Sequence, residues 1–218
     1  METLRNSLRR LAQAEMQTDP AHDLAHLDRV WENARRIAAD EPLCDTRALM
    51  AAAYLHDLVN LPKGAPDRAQ ASQLSARRAA GLLPSLGLSP DRIATTCHAI
   101  EAHSFSANIT PETPEARILR DADRLDALGA VGMMRWFAVS GGLNRPLYDP
   151  SDPFAENRAP DDRAFTLDHW PLKLRDLADG MLTATGRSLA RGRCALMHDT
   201  LAALAAETGA TLPDSWRP

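Results

Sequence analysis

Apolar residues recur every three or four positions along most of this chain, and that spacing limits what it can fold into. Between residues 23 and 39 they follow one side of a helix with 3.6 residues per turn. Ser89-Pro90 and Thr113-Pro114 are typical helix starts, in which a capping hydroxyl precedes a proline in the first turn. No convincing pair of strands is visible. The sequence therefore predicts an all-α fold, a single helical bundle with seven or eight helices.

Capping residues, prolines and glycines set the expected helix ends. Residues 140–167 are rich in Gly, Pro, Asn and Asp and have little periodicity, which predicts a long loop over a functional site or a mobile insertion. Asp168 is then expected to cap the next helix. The predicted helices cover residues 23–39, 45–59, 66–83, 89–102, 113–139 and 168–185, and a last helix follows Gly186 and ends near residue 208.

The composition is typical of a soluble globular protein, with 44% apolar and 25% charged residues. A length of 218 residues suits one domain, which we predict over residues 1–218 with its core at about 20–208. The net charge of −4 argues against a dedicated nucleic-acid binder but does not exclude a small anionic substrate.

Three scattered cysteines, Cys44, Cys97 and Cys194, form no C-x-x-C pair and suggest buried free thiols in a reducing compartment. The N-terminal segment is amphipathic and lacks the apolar stretch of a signal peptide. No run approaches the roughly 18 apolar residues that a membrane span requires. We therefore expect a cytoplasmic protein with no membrane partner.

The dipeptide His56-Asp57 closes an otherwise apolar helical segment, AAAYLHDLV. Burying an imidazole and a carboxylate there costs free energy unless they are paired or bind a metal ion. A capping aspartate beside a core histidine with satisfied hydrogen bonds is the alternative, and the dipeptide alone does not decide between them.

A second histidine favours the metal. His26 lies on the apolar stripe of the helix over residues 23–39, and His22 lies one turn earlier on the same stripe. Histidines four residues apart can bind a metal by themselves. His22 is, however, more simply a first-turn residue near the surface or a group that supports the site.

The segment DADRLDALGA, residues 121–130, supplies a third element. Helical geometry puts Asp123 on an inward apolar stripe and turns Asp121 about 200° away from it, toward water or a basic neighbour. Asp126 lies only about 60° from Asp123 and could serve the same pocket as an acceptor or base. We therefore predict Asp123, and not Asp121, as a metal ligand.

Two imidazoles and two carboxylates, from His26, His56, Asp57 and Asp123, suit one divalent ion such as Mn²⁺, Mg²⁺, Fe²⁺, Co²⁺ or Ni²⁺ and disfavour a thiolate-type zinc site. Four protein ligands on an octahedral ion leave two positions, which could hold a water and a phosphoryl oxygen. Such an ion lowers the pKa of the water and polarises the phosphorus centre.

With this ordered set, the sequence resembles the HD-domain superfamily of metal-dependent phosphohydrolases, and in particular one bacterial subgroup of small HD hydrolases. The resemblance implies metal ligands at His26, His56, Asp57 and Asp123, and hydrolysis of a phosphate ester or anhydride. Similar members are linked to nucleotide pyrophosphohydrolysis, which releases a nucleoside monophosphate and pyrophosphate. The segments that carry the resemblance, over about residues 20–208, are HLDRV, LHDLVNLPK, AHSFSA, DADRLDALGAVG, LDHWPLKL and TGRSLARGRC.

One position departs from the family pattern. Many HD hydrolases carry an acidic residue three places after the HD aspartate, where this chain has Asn60. An amide cannot act as a general base near neutral pH, which puts a mechanism of the Glu-Asp type in doubt. Attack by the metal-bound water alone, or assisted by Asp126 or a histidine, is the expected alternative.

Basic and polar residues near these segments are the candidates for substrate binding. Lys63 follows the HD helix and could bind phosphate as a point charge, the alternative being a solvated loop lysine. His98 and His103 are about 140° apart around a regular helix, so they serve one site only if the helix ends between them. A second metal held by this pair is left open. The predicted substrate-binding residues are Asn60, Lys63, Arg68, His98, His103 and Lys173, and the predicted catalytic residues are Asp57, Lys63, His103 and Asp126.

The expected function is metal-dependent hydrolysis of a nucleoside triphosphate to the monophosphate and pyrophosphate. A phosphomonoesterase or phosphodiesterase would share the same chemistry. A non-catalytic metal-bound sensor and a purely structural metal site are the alternatives from other classes. The expected binding partner is a small phosphate substrate such as a nucleotide. No nucleic acid polymer is expected as a partner. A homodimer of the chain is left open.

Overall fold

The computed structural model describes residues 1–16, 23–61 and 67–218, and in these ranges all regular structure is helical. Eight α-helices are present there, which confirms the predicted fold class. None of the helices in the described ranges is long and apolar enough to cross a membrane. The helices are α1 (Glu2–Glu15), α2 (Leu24–Ala38), α3 (Thr46–Leu55), α4 (Ala71–Leu82), α5 (Pro90–His103), α6 (Pro114–Leu125), α7 (Gly129–Gly142) and α8 (Ala184–Thr208).

The chain forms two compact units, residues 1–123 and residues 124–218. The single domain predicted over residues 1–218 stays a prediction. The three cysteines are free thiols, as expected, but only Cys194 is fully buried, whereas Cys44 and Cys97 are half-buried.

Helix α3 is the centre of the first unit. Every residue from Ala48 to Leu55 is buried, and α1, α2 and α5 pack against this helix. A helix that is apolar on all sides is stable only when it is covered on all sides. Asp45 caps α3 as predicted, because its carboxylate accepts hydrogen bonds from the backbone N–H groups of Arg47 and Ala48 at 2.9 and 3.2 Å.

One carboxylate joins α1 to α2 and α3. Asp28 on α2 accepts hydrogen bonds from Arg5 and Arg9 on α1 at 3.2 and 2.9 Å. It also accepts one from the hydroxyl of Tyr54 on α3 at 2.7 Å. Burial raises the pKa of Tyr54 to about 12, so the hydroxyl keeps its proton and remains a donor. These four residues, the Asp28 hub, fix three helices relative to one another.

The segment predicted as one helix over residues 113–139 forms two helices. α6 begins as expected, with the Thr113 hydroxyl accepting a hydrogen bond from the backbone N–H of Ala116 at 3.2 Å. α7 begins at Gly129, whose φ of +75° lies in the left-handed region that glycine adopts without strain. The side chain of Arg193 lies 3.0 Å from the place where a Cβ of residue 129 would sit. The apolar pattern continues across this break, and therefore periodicity did not reveal it.

In the second unit, residues 143–169 are irregular, as predicted, but Asp168 does not cap a helix. Its carboxylate is fully buried. It accepts hydrogen bonds from Arg158 Nη2 at 2.9 Å and from the backbone N–H of Asp161 at 2.7 Å. Because these two donors hold Asp168, the irregular segment is organised around a buried ion pair.

The helix predicted over residues 168–185 is also wrong. Only two short helical segments occur there, Trp170–Leu174 and Arg175–Ala178. α8 begins after them and is capped by Thr183, whose hydroxyl accepts a hydrogen bond from the backbone N–H of Gly186 at 3.0 Å.

Candidate metal centre

Helix α2 positions the first histidine. The carboxylate of Asp23 caps this helix and accepts a hydrogen bond from the backbone N–H of His26 at 2.8 Å, which fixes the first turn. His26 is 2% exposed and shares its buried face with Val30 and Ile37. The stripe predicted from periodicity therefore faces inward. His22, predicted on the same stripe, lies outside the described residues.

The end of α3 presents His56 and Asp57. Nδ1 of His56 lies 2.9 Å from the carbonyl oxygen of Ala53, one turn earlier. With a proton on Nδ1 donated to this carbonyl, the lone pair of Nε2 points away from the helix. That Nε2 atom is buried and forms no hydrogen bond within the described ranges. The helix thus orients the ring as it is oriented in metal-binding histidines.

Asp123 lies in the last turn of α6, and α2 holds that turn in place. Asn33 on α2 is 4% exposed, and its amide donates a hydrogen bond to the carbonyl oxygen of Ala122 at 3.1 Å. Asn33 follows His26 by seven residues, about two turns, and so shares its side of α2. Because helix ends fray, this bond keeps the backbone of Asp123 fixed relative to His26.

Four potential ligand atoms converge between these helices. Nε2 of His26 lies 3.7 Å from Oδ2 of Asp57 and 3.6 Å from Oδ1 of Asp123. Nε2 of His56 lies 3.4 and 3.8 Å from the same two oxygens. Most of these separations exceed a hydrogen bond. Two atoms bound at about 2.1 Å to one ion lie about 3.0 Å apart at a right angle and about 3.4 Å apart at a tetrahedral angle. The spacing and the donor types fit a divalent metal ion.

His103, at the end of α5, adjoins this group. Its Nε2 lies 3.9 Å from Oδ1 of Asp57, and its ring packs edge-on against His56 with 4.9 Å between centroids. Nδ1 of His103 lies 2.6 Å from the carbonyl oxygen of Ile100. The potential ligand atoms thus form two groups of three, each with all its atoms within 4.8 Å of one another: His26, His56 and Asp123, and His56, Asp57 and His103.

The charges of the site shift its pKa values. Burial lowers the pKa of His56, but the carboxylates of Asp57 and Asp123 raise it more, to about 9. Burial raises the pKa of Asp57, yet the surrounding histidines, chiefly His56, hold it well below its usual range. The pKa of His103 is lowered by burial and by His56. At neutral pH Asp57 is thus ionised and His103 neutral, whereas His56 has to release a proton when it binds a metal.

Asp121 is buried, and Asp123 is the more exposed of the two aspartates. Asp121 has no exposed surface, whereas the side chain of Asp123 is 32% exposed. Asp121 therefore does not face water. The reason is that α6 has a second buried stripe, formed by Ile118, Ala122 and Leu125, and Asp121 lies on it.

Two other predicted residues flank the HD segment. Lys63 falls within residues 62–66, outside the described residues. Arg68 donates a hydrogen bond from Nη1 to the carbonyl oxygen of Leu61, which holds the chain just before those residues. Asn60 is half-buried after the end of α3. The substrate-binding roles of Lys63, Asn60 and Arg68 stay predictions.

His98 lies apart from the ligand groups found in the described ranges. Its Nε2 accepts a hydrogen bond from the backbone N–H of Glu112 at 3.1 Å. Neither group of three potential metal ligands in the described part of the chain includes it. That bond gives His98 a structural role, and its predicted contact with substrate stays a prediction.

The last two predicted residues belong to the second unit. Asp126 is buried and forms an ion pair with Arg135 at 2.5 Å. Lys173 is exposed in the short segment Trp170–Leu174. Their catalytic and substrate-binding roles stay predictions.

Sequence analysis did not single out Asn33, although a signal was present. The stripe of α2 that carries His26 is otherwise apolar, and an amide on that stripe is costly to bury without a hydrogen-bond partner. Such a residue, two turns from a predicted ligand, indicates a group that holds part of the site.

Comparisons with known proteins agree with this arrangement. A family model described as HD domain matches residues 23–128. The protein YpgQ of Bacillus subtilis strain 168 is 32% identical over 177 residues, which cover 79% of this chain and 77% of YpgQ. The crystal structure of Bacillus subtilis YpgQ in complex with ADP has a TM-score of 0.73 at 28% identity and covers 94% of this chain and 95% of its own. An HD-superfamily hydrolase from Bacillus thuringiensis has a TM-score of 0.73 at 26% identity, covering 96% and 99%.

Proposed function

This chain belongs to the HD-domain superfamily of metal-dependent phosphohydrolases, and on that premise we propose that it hydrolyses a nucleoside triphosphate to the monophosphate and pyrophosphate. The convergence of two imidazoles and two carboxylates carries the proposal, because Nε2 of each histidine lies 3.4 to 3.8 Å from an oxygen of Asp57 and from an oxygen of Asp123. The relative YpgQ has been crystallised with ADP, which supports a nucleotide as the substrate class.

In this proposal His26, His56, Asp57 and Asp123 hold one divalent ion. When bound, the ion supplies Lewis-acid chemistry, polarising the phosphoryl group and lowering the pKa of water. Asp57 is ionised and is therefore ready to bind a cation without losing a proton.

We propose that His103 accepts the proton of the attacking water. Its Nδ1 donates to the carbonyl of Ile100, so that Nε2 carries the lone pair. Burial and His56 lower its pKa, which keeps Nε2 unprotonated at neutral pH. Asn60 cannot fill this role, because an amide is not a base in this pH range. Lys63 and Arg68 remain the proposed groups that balance charge on the phosphate oxygens.

A hydrolysis screen tests the proposal. The purified protein is given Mn²⁺, Mg²⁺, Co²⁺ or Ni²⁺ with nucleoside triphosphates, monophosphates and cyclic nucleotides, and phosphate is resolved from pyrophosphate. We expect metal-dependent release of pyrophosphate, reduced about 10³-fold or more in Asp57→Ala. Asp91→Ala, an exposed change at the start of α5, is the matched control and should retain full activity.

Other products would redirect the proposal. Release of phosphate from monophosphates, or opening of cyclic nucleotides, would indicate a phosphomonoesterase or phosphodiesterase. Metal binding without turnover of any nucleotide would overturn the nucleotide assignment and favour a different phosphate ester or a sensor.

A further inference from the structure

A cleft of about 260 Å³ opens beside the ligand residues of the first unit. One wall follows His103 directly and begins at Ser104. The other wall includes Arg120 on α6, three residues before Asp123. Side chains three residues apart on a helix have Cβ atoms only about 5–6 Å apart. The cleft thus adjoins the metal site through two different elements.

The ring of Phe105 stands at this cleft and is 80% exposed. A tight turn over Phe105–Ala107 holds it there, since the backbone N–H of Asn108 donates to the carbonyl oxygen of Phe105 at 3.3 Å. Asn108 closes the turn with a φ of +52°, a conformation that asparagine tolerates better than most residues. The turn therefore fixes the backbone of Phe105 and leaves its aromatic ring exposed at the cleft.

Polar groups surround this ring. Nε of Arg120 is buried and forms no hydrogen bond within the described parts of the chain. Asn108 and Thr110 add an amide and a hydroxyl to the same lining. An aromatic face beside a few donors and acceptors is the chemistry that recognises a flat heterocycle with a polar edge.

We infer that this cleft binds the base of the nucleotide, with Phe105 stacked on its face and Arg120 and Asn108 hydrogen-bonded to its edge. The inference rests on the proposed function, because it assumes a substrate whose phosphates bind at the adjacent metal site. It adds the subsite that distinguishes a nucleotide from a simple polyphosphate.

Binding of ADP and of inorganic pyrophosphate to the metal-loaded protein tests the inference, because only ADP has a base. Stacking on an aromatic side chain contributes enough that Phe105→Ala should weaken ADP binding about 5- to 150-fold. Pyrophosphate binding should change less than about twofold. In turnover of a triphosphate, the loss should appear in KM and leave kcat close to that of the wild type. The matched control is Leu43→Ala, which removes a side chain 87% exposed and should change neither affinity.

Two outcomes would overturn the inference alone. Unchanged ADP affinity in Phe105→Ala would exclude stacking, and an equal loss for ADP and pyrophosphate would show that the turn acts by positioning His103. Wild-type protein that binds no ADP and hydrolyses no nucleotide would instead overturn the proposed function, and the base subsite with it.

Discussion

Histidine and aspartate are adjacent at four places in this chain, residues 22–23, 56–57, 168–169 and 198–199. The pair His56-Asp57 in the first unit and the pair Asp168-His169 in the second use their carboxylates in different ways. Asp57 is surrounded by imidazole nitrogens at 3.4 to 3.9 Å. Asp168 instead accepts hydrogen bonds from the guanidinium of Arg158 and from a backbone N–H. His169 is paired separately, with Nδ1 2.9 Å from Oδ2 of Asp162.

The difference lies in how the negative charge of each carboxylate is compensated. A fixed arginine balances the charge of Asp168, so the protein itself completes that site. The oxygens of Asp57 face ring nitrogens that become good ligands once they are unprotonated, at distances too long for strong hydrogen bonds. We propose that an added cation completes that site. One of two similar dipeptides thus belongs to a structural ion pair, and the other to the proposed metal centre.

The largest expected effect is a loss of stability when the carboxylate of Asp168 is removed. Asp168→Ala should lower the free energy of unfolding by about 3–5 kcal/mol, because the mostly buried Arg158 loses its main partner. Urea denaturation measures this loss. Asp162→Ala is the control, because it removes a half-buried partner of His169 and should cost less than about 1 kcal/mol. Equal losses of unfolding free energy in the two variants would contradict the structural role that we assign to the Asp168–Arg158 ion pair.

Added metal should stabilise the protein through Asp57 and not through the second dipeptide. A divalent ion at about 100 times its Kd should raise the free energy of unfolding of the wild type by about 2.7 kcal/mol. Asp57→Ala should lose this stabilisation, and Asp162→Ala should keep it. Thermal unfolding with and without Mn²⁺ gives the comparison. If Asp57→Ala gained as much stability as the wild type, the ion would be bound elsewhere.

A smaller effect is expected from the residue that holds Asp123. Asn33→Ala should weaken metal binding about 10- to 100-fold, because the last turn of α6 loses its link to α2. Calorimetric titration with metal measures the change. Thr96→Val removes a comparable buried hydrogen bond, from the Thr96 hydroxyl to the carbonyl of Ala48, away from the ligands. Thr96→Val should leave metal affinity unaltered. If it weakened metal binding as much as Asn33→Ala, a general loss of helix packing and not the position of Asp123 would be the cause.

The smallest effect concerns Asp45, a carboxylate of the first unit that has no place in the metal site. Burial raises its pKa, but Arg92 and the backbone N–H groups of Ala48 and Arg47 lower it more. Because the folded-state pKa is depressed, the stability that this group contributes is present at neutral pH and is lost as the pH falls through that pKa.

Asp45→Ala should therefore lower the free energy of unfolding by about 1 kcal/mol at pH 7. The difference in unfolding free energy between this variant and the wild type should become smaller below about pH 4. Asp45→Asn keeps a capping oxygen and should cost less. Denaturation curves over a pH series measure both variants. A gap that widened in acid would contradict the assignment.

The sequence was most informative where chemistry lies on buried helical faces. His26, His56 and Asp123 were predicted as ligands because a polar residue on an apolar stripe needs an explanation, and the structure brings their side chains close together. Of the two surroundings predicted for Asp121, water is wrong because α6 is buried along two stripes and not one, and a basic neighbour stays a prediction.

Features set by distant contacts could not be predicted in this way. The break before α7 depends on Gly129 and on the side chain of Arg193, 64 residues later in the chain. Asp168 looked like a helix cap because caps are local, whereas its real partner, Arg158, lies in an irregular segment without periodicity. The amide of Asn33 likewise acquires its role only when α6 packs beside α2.

The Asp28 hub has a consequence for how this protein could be recombined with others. The family match begins at residue 23, but two of the three side chains that donate to Asp28 come from α1, before that boundary. A gene fusion that joined a new partner at residue 23 would carry over the ligand residues and leave behind both arginines. The apolar surface that Leu4, Leu8 and Ala12 now cover would become exposed to solvent. The portable module is therefore longer than the segment that the family model matches, and it includes α1.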